Sequence, residues 1–352
     1  MISFHLLSGL EIFKGFNPVF EQKYTVASLL KSQYKRRPFW TETYFHEAQF
    51  PENRITIFTH ITISEFFGFE SGCKFNIIIT FPDQKKYVFQ KDYTFKQFTL
   101  KKDPFYLKCS ANYLKLDNNN YKIYLENEDI VLNLNYKISN PPYRFGDGII
   151  RLDLWNFLSY SQPVSGAHVS GLLKHKQKEY KLKGRGSINH DYNKIEPLKQ
   201  PRHWRSFWLY NDEYSANIDT IILPYSNKQI DRLIIFKNNK YFCANINIGL
   251  RCENYRDDKP NNFQYPTNFI FNFTDISGKK ISANIQHVEF TDKIKMFDYL
   301  SPFFAKIVRF FVKDIWVYRF WAKAQFEIIT PNGNKKVIPL YGLGNYVHSE
   351  KK

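Results

Sequence analysis

Short segments in which apolar and polar residues alternate recur along this chain, and they restrict its fold more than any other feature. The segments 55–63 and 75–81 both carry a large apolar side chain at nearly every second position. A period of two residues is that of a β-strand with one buried face. Turn sequences such as 117–120 separate these segments, which follow one another at spacings of roughly 8–12 residues. We therefore predict an all-β sandwich or barrel, and this pattern excludes a parallel sheet with crossover helices.

Two irregular stretches near the middle of the chain indicate a division into two domains. Prolines and glycines cluster at 140–148, and a second break follows at 160–163. A chain of 352 residues is long enough for two domains of ordinary size. We predict a lead-in over 1–22, a first barrel over 23–160 and a second barrel over 161–352. Because no Gly/Ser-rich linker is present, the barrels are expected to pack against each other.

The hydrophobic period changes from two to that of a helix near the C-terminal end. Residues 303–315 carry apolar side chains at helical spacing, and basic residues occupy the other side. Ser301 and Pro302 suit the N-cap and the first helical position. We predict an amphipathic helix over 302–314. Such a helix either lies over a barrel or makes a second membrane contact, and the first interpretation is favoured.

The first residues of the chain form a second helical pattern. Pro18 ends it, and the polar residues Ser8 and Glu11 lie opposite the apolar face. The pattern lacks the basic start and unbroken apolar core of a signal peptide. It indicates a helix that either packs on the first barrel or lies in a membrane interface, and we favour the interface. The side chains expected to bind the membrane are Ile2, Phe4, Leu6, Leu7, Leu10 and Phe13.

Charge and composition limit the partners and the compartment. The formal net charge of +17 favours a membrane surface, nucleic acid or an acidic protein, although an AT-rich genome explains the many lysines equally well. Aromatic residues make up 18% of the chain, which is typical of a folded β-rich protein rather than a disordered one. The four cysteines have no CxxC spacing, so we expect no metal site and a reducing, cytosolic compartment. No apolar run approaches the length of about 20 residues that spans a bilayer.

The central stretch 184–218 has the densest mixture of Gly, His, Trp and Arg. Gly184 and Gly186 suggest a bulge or a close backbone approach, because a Cβ would not fit there. The aromatic cluster that follows is expected to wall a pocket or to plug a barrel end. Trp204 and Trp208 lie four residues apart, so a strand directs both to one face. We predict that they line the cavity of the second barrel, with Arg205 and Phe207 facing outward or into the neighbouring domain.

This stretch resembles the middle motif of a superfamily that pairs two lipocalin-like β-barrels. That superfamily includes carotenoid hydratases, tocopherol cyclase-like proteins and fungal Diels–Alderase-type cyclases, and its pattern is Gly-x-Gly, an acidic-His pair near Trp-Gly, and a Trp-rich strand. The residues that fit the pattern are Gly184, Gly186, His190, Trp204 and Trp208.

Two positions depart from the enzymes of that superfamily. Asn189 stands where those enzymes often carry an acid, and Tyr192-Asn193 replaces Trp-Gly. The chain is more similar to the eukaryotic survival factor one family, a non-enzymatic branch implicated in ceramide handling. The resemblance implies a fold of two tandem lipocalin-like β-barrels after a short N-terminal amphipathic helix, with one helix in the C-terminal region.

The resemblance also implies a function. We expect a monomeric lipid-binding protein without a cofactor, peripherally bound to anionic surfaces of Golgi or endoplasmic reticulum membranes. It would sequester or transfer a ceramide-like sphingolipid and support survival under oxidative stress. The residues expected to bind the ligand are His190, His203, Trp204, Trp208 and Tyr210.

Three other interpretations remain open. An isoprenoid or polyene hydratase or cyclase on the same fold needs a proton donor in an apolar cavity, and the catalytic candidates are then His190 and Asp191. The alternative for this pair is that both side chains hydrogen-bond the loop that follows. A stress-linked scaffold without a ligand is a further possibility. The basic-aromatic patch 36–40 is a weak indication of RNA binding, so nucleic acid is not expected as a partner.

Overall fold

A computed structural model describes residues 24–33, 40–65, 72–195, 201, 203–223, 228–259, 263–295, 306 and 312–351. The chain divides into two compact units, one of Met1–Ile79 with Tyr87–Glu196 and one of Thr80–Lys86 with Pro197–Lys352. Each unit is built on one antiparallel sheet. The prediction of an all-β fold with two tandem lipocalin-like barrels is confirmed. Within the described ranges, no helix is both long and apolar enough to cross a membrane.

Among the described residues, the first sheet contains thirteen strands. Eleven of them follow the order β4-β3-β2-β1-β13-β12-β9-β8-β7-β6-β5, and the sheet curves into a nearly closed barrel. A short β10–β11 hairpin joins the sheet through β13. The strands are β1 (Trp40–Phe50), β2 (Ile55–Glu65), β3 (Gly72–Thr80), β4 (Lys86–Tyr93), β5 (Phe98–Lys102), β6 (Phe105–Cys109), β7 (Asn112–Asp117), β8 (Asn120–Glu126), β9 (Ile130–Lys137), β10 (Ile149–Arg151), β11 (Phe157–Ser159), β12 (Ser161–His175) and β13 (Lys178–Lys194).

In the described part of the second unit, the sheet contains nine strands in the order β17-β16-β15-β14-β22-β21-β20-β19-β18. Alternate residues of these strands converge on one apolar core that includes Phe207, Phe269 and Phe320. The strands are β14 (His203–Tyr210), β15 (Tyr214–Ile222), β16 (Gln229–Lys237), β17 (Lys240–Ile246), β18 (Arg251–Asp258), β19 (Phe263–Thr274), β20 (Lys280–Lys295), β21 (Val312–Ile329) and β22 (Lys335–Lys351).

The boundary between the units differs from the one predicted near residue 160. Strands β12 and β13 lie in the first sheet, because β12 pairs with β9 and β13 pairs with β1. The division therefore falls after Glu196. The break at 140–148 is a loop within the first unit, and the break at 160–163 is the junction at which β11 ends and β12 begins. Prolines and glycines here mark the ends of strands and not the end of a domain.

The close backbone approach expected at the glycine pair is confirmed. A Cβ on Gly184 would lie 1.9 Å from the carbonyl oxygen of Gln49, and one on Gly186 would lie 2.4 Å from that of Glu47. Both distances are shorter than any real contact, so β13 can lie this close to β1 only with glycine at these positions.

Helical structure is sparse in the described part of the chain. Helix α1 (Val26–Leu30) begins at Thr25, whose side chain and that of Ser28 form a reciprocal capping box, and a 3-10 turn spans Pro51–Asn53. The helix predicted at the N-terminus lies outside the described residues. The helix predicted over 302–314 also lies almost entirely outside them, and the chain is already in β21 from Val312 onward. The predicted end of this helix, at residue 314, therefore lies beyond the start of β21.

Candidate functional site

The interior of the first barrel holds a buried ion pair. Glu42 on β1 and His190 on β13 face the interior near the strand ends, and their side chains are almost completely inaccessible to solvent. The Nε2 of His190 lies 2.7 Å from Oε1 of Glu42. The imidazole ring is stacked on the ring of Tyr44, with centroids 4.5 Å apart. The catalytic candidate His190 therefore belongs to the first barrel, because β13 pairs with β1.

Hydrogen bonds fix the charge state of this pair. The Nδ1 of His190 faces the carbonyl oxygen of Leu29, so both ring nitrogens meet acceptors and both must donate. Burial raises the pKa of Glu42, but the hydrogen bond and positive charge of His190, with further donors from Tyr44 and Ser32, more than offset it and lower the pKa. The pair is an imidazolium with a carboxylate. Burial, followed by the charge of Glu42, raises the pKa of Tyr44, which remains a neutral hydrogen-bond donor.

The same groups fasten the segment that contains α1 across this end of the barrel. Besides the bond from His190 to Leu29, the hydroxyl of Ser32 donates to Glu42 at 2.9 Å, and the backbone N–H of Gln33 donates at 3.1 Å. Tyr44 donates to Glu42 at 2.8 Å. The Glu42 carboxylate thus accepts four hydrogen bonds, which leaves the group well satisfied within the protein.

A second polar pair lies deeper in the same interior. His46 contacts the hydroxyl of Thr59, and its Nε2 lies 2.9 Å from the hydroxyl of Tyr121. Burial, followed by the charge of His60, lowers the pKa of His46 to about 3. His46 is therefore neutral at physiological pH, with one ring nitrogen donating and the other accepting.

Asp191, the second catalytic candidate, does not face the barrel interior as His190 does. Asp191 and Asn189 flank His190 on the strand, so their side chains point to the opposite face of the sheet. The ion pair itself offers no proton to an apolar substrate, since Glu42 is ionised and both N–H groups of His190 are hydrogen-bonded within the protein. This arrangement orders the barrel end and does not supply a general acid.

The predicted orientation of β14 is reversed in the second barrel. Phe207 and Leu209 belong to the apolar core, and the ring of Phe207 lies 4.8 Å from that of Phe269. Alternation along the strand then directs Trp204, Trp208 and Tyr210 to the other face. Arg205 faces the interior, where its guanidinium lies 5.9 Å from the ring of Tyr346. The tryptophans do not line the interior of this barrel.

Of the predicted ligand residues on β14, only His203 reaches the interior of the second barrel. It faces His348 on β22, with the two Nδ1 atoms 3.0 Å apart. One of these atoms must donate and the other accept, so at most one ring of the pair is fully protonated. Phe263 packs on the ring of His348, and the two ring centroids are 4.0 Å apart.

An aromatic wall with charged groups surrounds this end of the second barrel. The hydroxyl of Tyr318 donates to Oδ2 of Asp258 at 2.7 Å, and the ammonium of Lys293 bonds the same oxygen. Lys293 also lies 4.7 Å from the ring of Trp316. Burial, then the hydrogen bond to Asp258, raises the pKa of Tyr318. The rings of Phe263 and Tyr318 stack at 5.5 Å.

A cleft of about 420 Å³ opens at the same end. It is lined by Asp257, Asp258, Lys259, Phe263 and Gln264. This volume lies in the range of small-molecule sites, which extends from about 300 to 1,000 Å³. Four of the five lining residues are polar or charged, and Phe263 supplies the aromatic surface of the cleft. Across the described ranges, no group of three or more His, Cys, Asp or Glu side chains is placed to hold a metal ion.

Sequence reasoning missed Glu42 and the residues of the second-barrel cleft. Glu42 lies 148 positions from His190, and no local motif marks it. The signal that could have found it is a glutamate at an inward position of β1, because a buried carboxylate requires a partner. Lys293 and Tyr318 likewise meet only through pairing of β20 with β21.

Comparison with known proteins identifies the fold. The model of the Svf1 family matches residues 33–343. The solved structure of CghA with Sch210972 has a TM-score of 0.65 at 10% identity and covers 88% of this chain and 89% of its own. An AttH protein from Nitrosomonas europaea has a TM-score of 0.61 at 10% identity, covering 88% and 92%. Kievitone hydratase from Nectria haematococca has a TM-score of 0.56 at 11% identity, covering 91% and 92%. A search of individual curated proteins found no significant match.

Proposed function

Because this chain belongs to the Svf1 family, we propose that it binds a lipid and does not convert it chemically. The ligand class that we propose is a ceramide-like sphingolipid, sequestered or transferred between endomembranes during stress. The neighbouring structures include a hydratase, so the alternative is a hydratase or cyclase acting on an isoprenoid or polyene.

One observation favours binding over catalysis: the ionisable cluster inside the first barrel is hydrogen-bonded to the protein itself. Glu42 accepts four hydrogen bonds, and His190 donates both of its protons to protein oxygens. Protonation of an alkene needs an acid that faces the substrate. Asp191, the other candidate acid, lies on the opposite face of its strand.

We place the ligand at the cleft of the second barrel. Phe263 lines the cleft and is backed by the buried, stacked ring of Tyr318, so it offers a fixed aromatic surface. Each buried methylene of a lipid chain contributes about 0.8 kcal/mol. Asp258 and Lys293 supply an acceptor and a donor near the mouth. A ceramide head group carries hydroxyl and amide groups that match both kinds of partner.

Membrane association is the second part of the proposal. The apolar face of the N-terminal pattern contains Leu6 and Leu10, and a single short helix of this kind binds membranes only weakly and reversibly. Leu6→Asp with Leu10→Asp is expected to release the protein from Golgi and endoplasmic reticulum membranes while both barrels stay folded. Fractionation combined with circular dichroism measures both properties, and a double variant that remains on membranes contradicts the role of this helix.

Native mass spectrometry of the purified full chain tests the binding proposal. We expect a co-purified or added ceramide to give a one-to-one complex whose released lipid has an unchanged mass. Incubation with prenyl and carotenoid substrates distinguishes the alternative. Release of a hydrated or cyclised product, lost in His190→Gln or Asp191→Asn, overturns the carrier proposal in favour of an enzyme.

A further inference from the structure

The loop between β10 and β11 exposes two large apolar side chains at its tip. Leu154 is 79% exposed and Trp155 is 69% exposed, and both lie on the first unit. Single exposed apolar residues are common, but an adjacent leucine and tryptophan at one tip are not explained by packing. Tryptophan is enriched where proteins meet the membrane interface, because its ring is apolar and its N–H is polar.

The loop is held so that both side chains must point outward. Asp153 Oδ1 accepts hydrogen bonds from the backbone N–H of Trp155 at 2.7 Å and of Asn156 at 2.8 Å. The buried side chain of Asn156 bonds both oxygens of the same carboxylate. The carboxylate of Asp153 is therefore hydrogen-bonded by neutral N–H donors within the loop. The tip loses little conformational entropy when it binds, because it is already ordered.

Two basic residues lie next to the tip. The ammonium of Lys194 lies 5.3 Å from the ring of Trp155, and Arg151 at the end of β10 is exposed. Near the start of the described chain, the guanidinium of Arg144 lies 4.1 Å from the ring of Tyr24. A basic residue near an anionic membrane contributes about 1 kcal/mol of attraction. Charge and apolar surface thus fit the same partner.

Lys194 also shows which end of the first barrel carries the tip. It is the last residue of β13 and pairs with Phe157 of β11 and with Trp40, the first residue of β1. His190, on the same strand end, holds α1 through Leu29. The loop, α1 and Tyr24 therefore lie at one end of the barrel.

We propose that Leu154 and Trp155 insert into the interface of an anionic bilayer, as a second membrane contact beside the N-terminal segment. This inference rests on the proposed membrane association and names the part of the folded barrel that takes part in it. Two weak signals together give the stable anchoring that one does not.

Co-sedimentation of the full chain with phosphatidylcholine vesicles, with and without phosphatidylserine, tests the proposal. Leu154→Ser with Trp155→Ser is expected to lower the partition coefficient on anionic vesicles about tenfold, a loss of about 1.4 kcal/mol. A control is Ile276→Ser with Tyr341→Ser, which removes two exposed apolar side chains from separate places on the second unit, the tyrosine also lying near a lysine. The control pair is expected to change the partition coefficient less than twofold.

Depth-dependent quenching by brominated lipids gives a second readout. Wild-type fluorescence should be quenched on anionic vesicles, and Trp155→Phe should lose a large part of that quenching. Equal vesicle binding by the tip variant, the control variant and the wild type overturns the inference. Self-association that disappears in the tip variant, without a change in vesicle binding, also overturns it and assigns the tip to a second copy of the chain.

The outcome is separable from that of the proposed function. If Leu6→Asp with Leu10→Asp releases the protein and the tip variant does not, only this inference fails. If the tip variant binds short-chain ceramide in solution as well as the wild type does, its loss from vesicles cannot be attributed to a damaged ligand site.

Discussion

The interiors of the two barrels use charge in opposite ways. In the first barrel, the Glu42–His190 pair is buried, fully hydrogen-bonded and attached to the segment that contains α1. In the second, the Asp258–Lys293 pair lies beside an open cleft, and the Lys293 side chain is 30% exposed. A closed, satisfied pair holds structure, whereas a pair at a cleft mouth can exchange its partners for a ligand. This difference leads us to assign a structural role to the first barrel interior and ligand binding to the second.

The largest expected effect comes from breaking the buried pair. His190→Leu leaves the Glu42 carboxylate buried without its counter-charge, and this should cost about 3–5 kcal/mol of unfolding free energy. The double variant Glu42→Met with His190→Leu removes both charges and should be more stable than His190→Leu alone. Urea unfolding of the wild type, the two single variants and the double variant measures the coupling. A double variant no more stable than His190→Leu contradicts the assignment of an ion pair.

Acid should weaken the first barrel through His46. Its pKa in the folded protein is about 3, below the ordinary value of about 6.5, so the unfolded chain binds more protons between these limits. The stability contribution is complete above about 6.5 and is lost as the pH falls, at no more than about 1.4 kcal/mol per pH unit. The lowered pKa of Glu42 acts in the same direction below about 4.3.

Unfolding free energies of the wild type and His46→Gln, measured at several pH values, separate these two contributions. His46→Gln should be less dependent on pH between 6.5 and 4.5, and it should retain the acid limb due to Glu42. An unchanged slope over this interval would show that His46 does not remain neutral in the folded barrel.

A polar substitution at the cleft mouth should alter affinity with little effect on folding. Asp258→Asn removes the charge that orients Lys293 and Tyr318, and we expect roughly tenfold weaker binding of a short-chain ceramide. The matched control is Asp212→Asn, the same substitution at an exposed turn between β14 and β15. Isothermal titration measures both variants. Equal losses in the two would argue against a ligand contact at Asp258.

The smallest expected effect distinguishes the two faces of the second sheet. Trp316 packs against the core beside Lys293, whereas Trp208 lies on the other face of β14. Ligand-induced change in tryptophan fluorescence should therefore persist in Trp208→Phe and decrease in Trp316→Phe. The opposite result would return the ligand to the face that carries Trp204 and Trp208.

Local patterns in the sequence predicted the strands and the glycine contact well, because both depend on neighbouring residues. Which face of a strand lies inside the barrel was harder to predict. Phe207 and Trp208 are both buried, at 0% and 2% exposure, so alternation could not tell which face of β14 lies inside. The division between the two units differs from the predicted boundary for a related reason. The pairing of β12 with β9 and that of β13 with β1, the latter across more than a hundred residues, assign both strands to the first barrel.

The candidate site was predicted in part. The motif that contains His190 identified one member of the ion pair, but Glu42 is brought to it only by the closure of the sheet. The cleft of the second barrel depends on four strands, β18 to β21, none of which carries a recognisable motif.

The central claim is that the ligand occupies the cleft end of the second barrel. Phe263 and Phe273 are partly buried phenylalanines at opposite ends of the same strand, β19, and both pack against the same core. Titration of Phe263→Ala and Phe273→Ala with a short-chain ceramide compares these two ends directly. We predict that Phe263→Ala lowers affinity at least tenfold and that Phe273→Ala binds like the wild type. Unchanged affinity in Phe263→Ala, in a protein shown to remain folded, would contradict the claim.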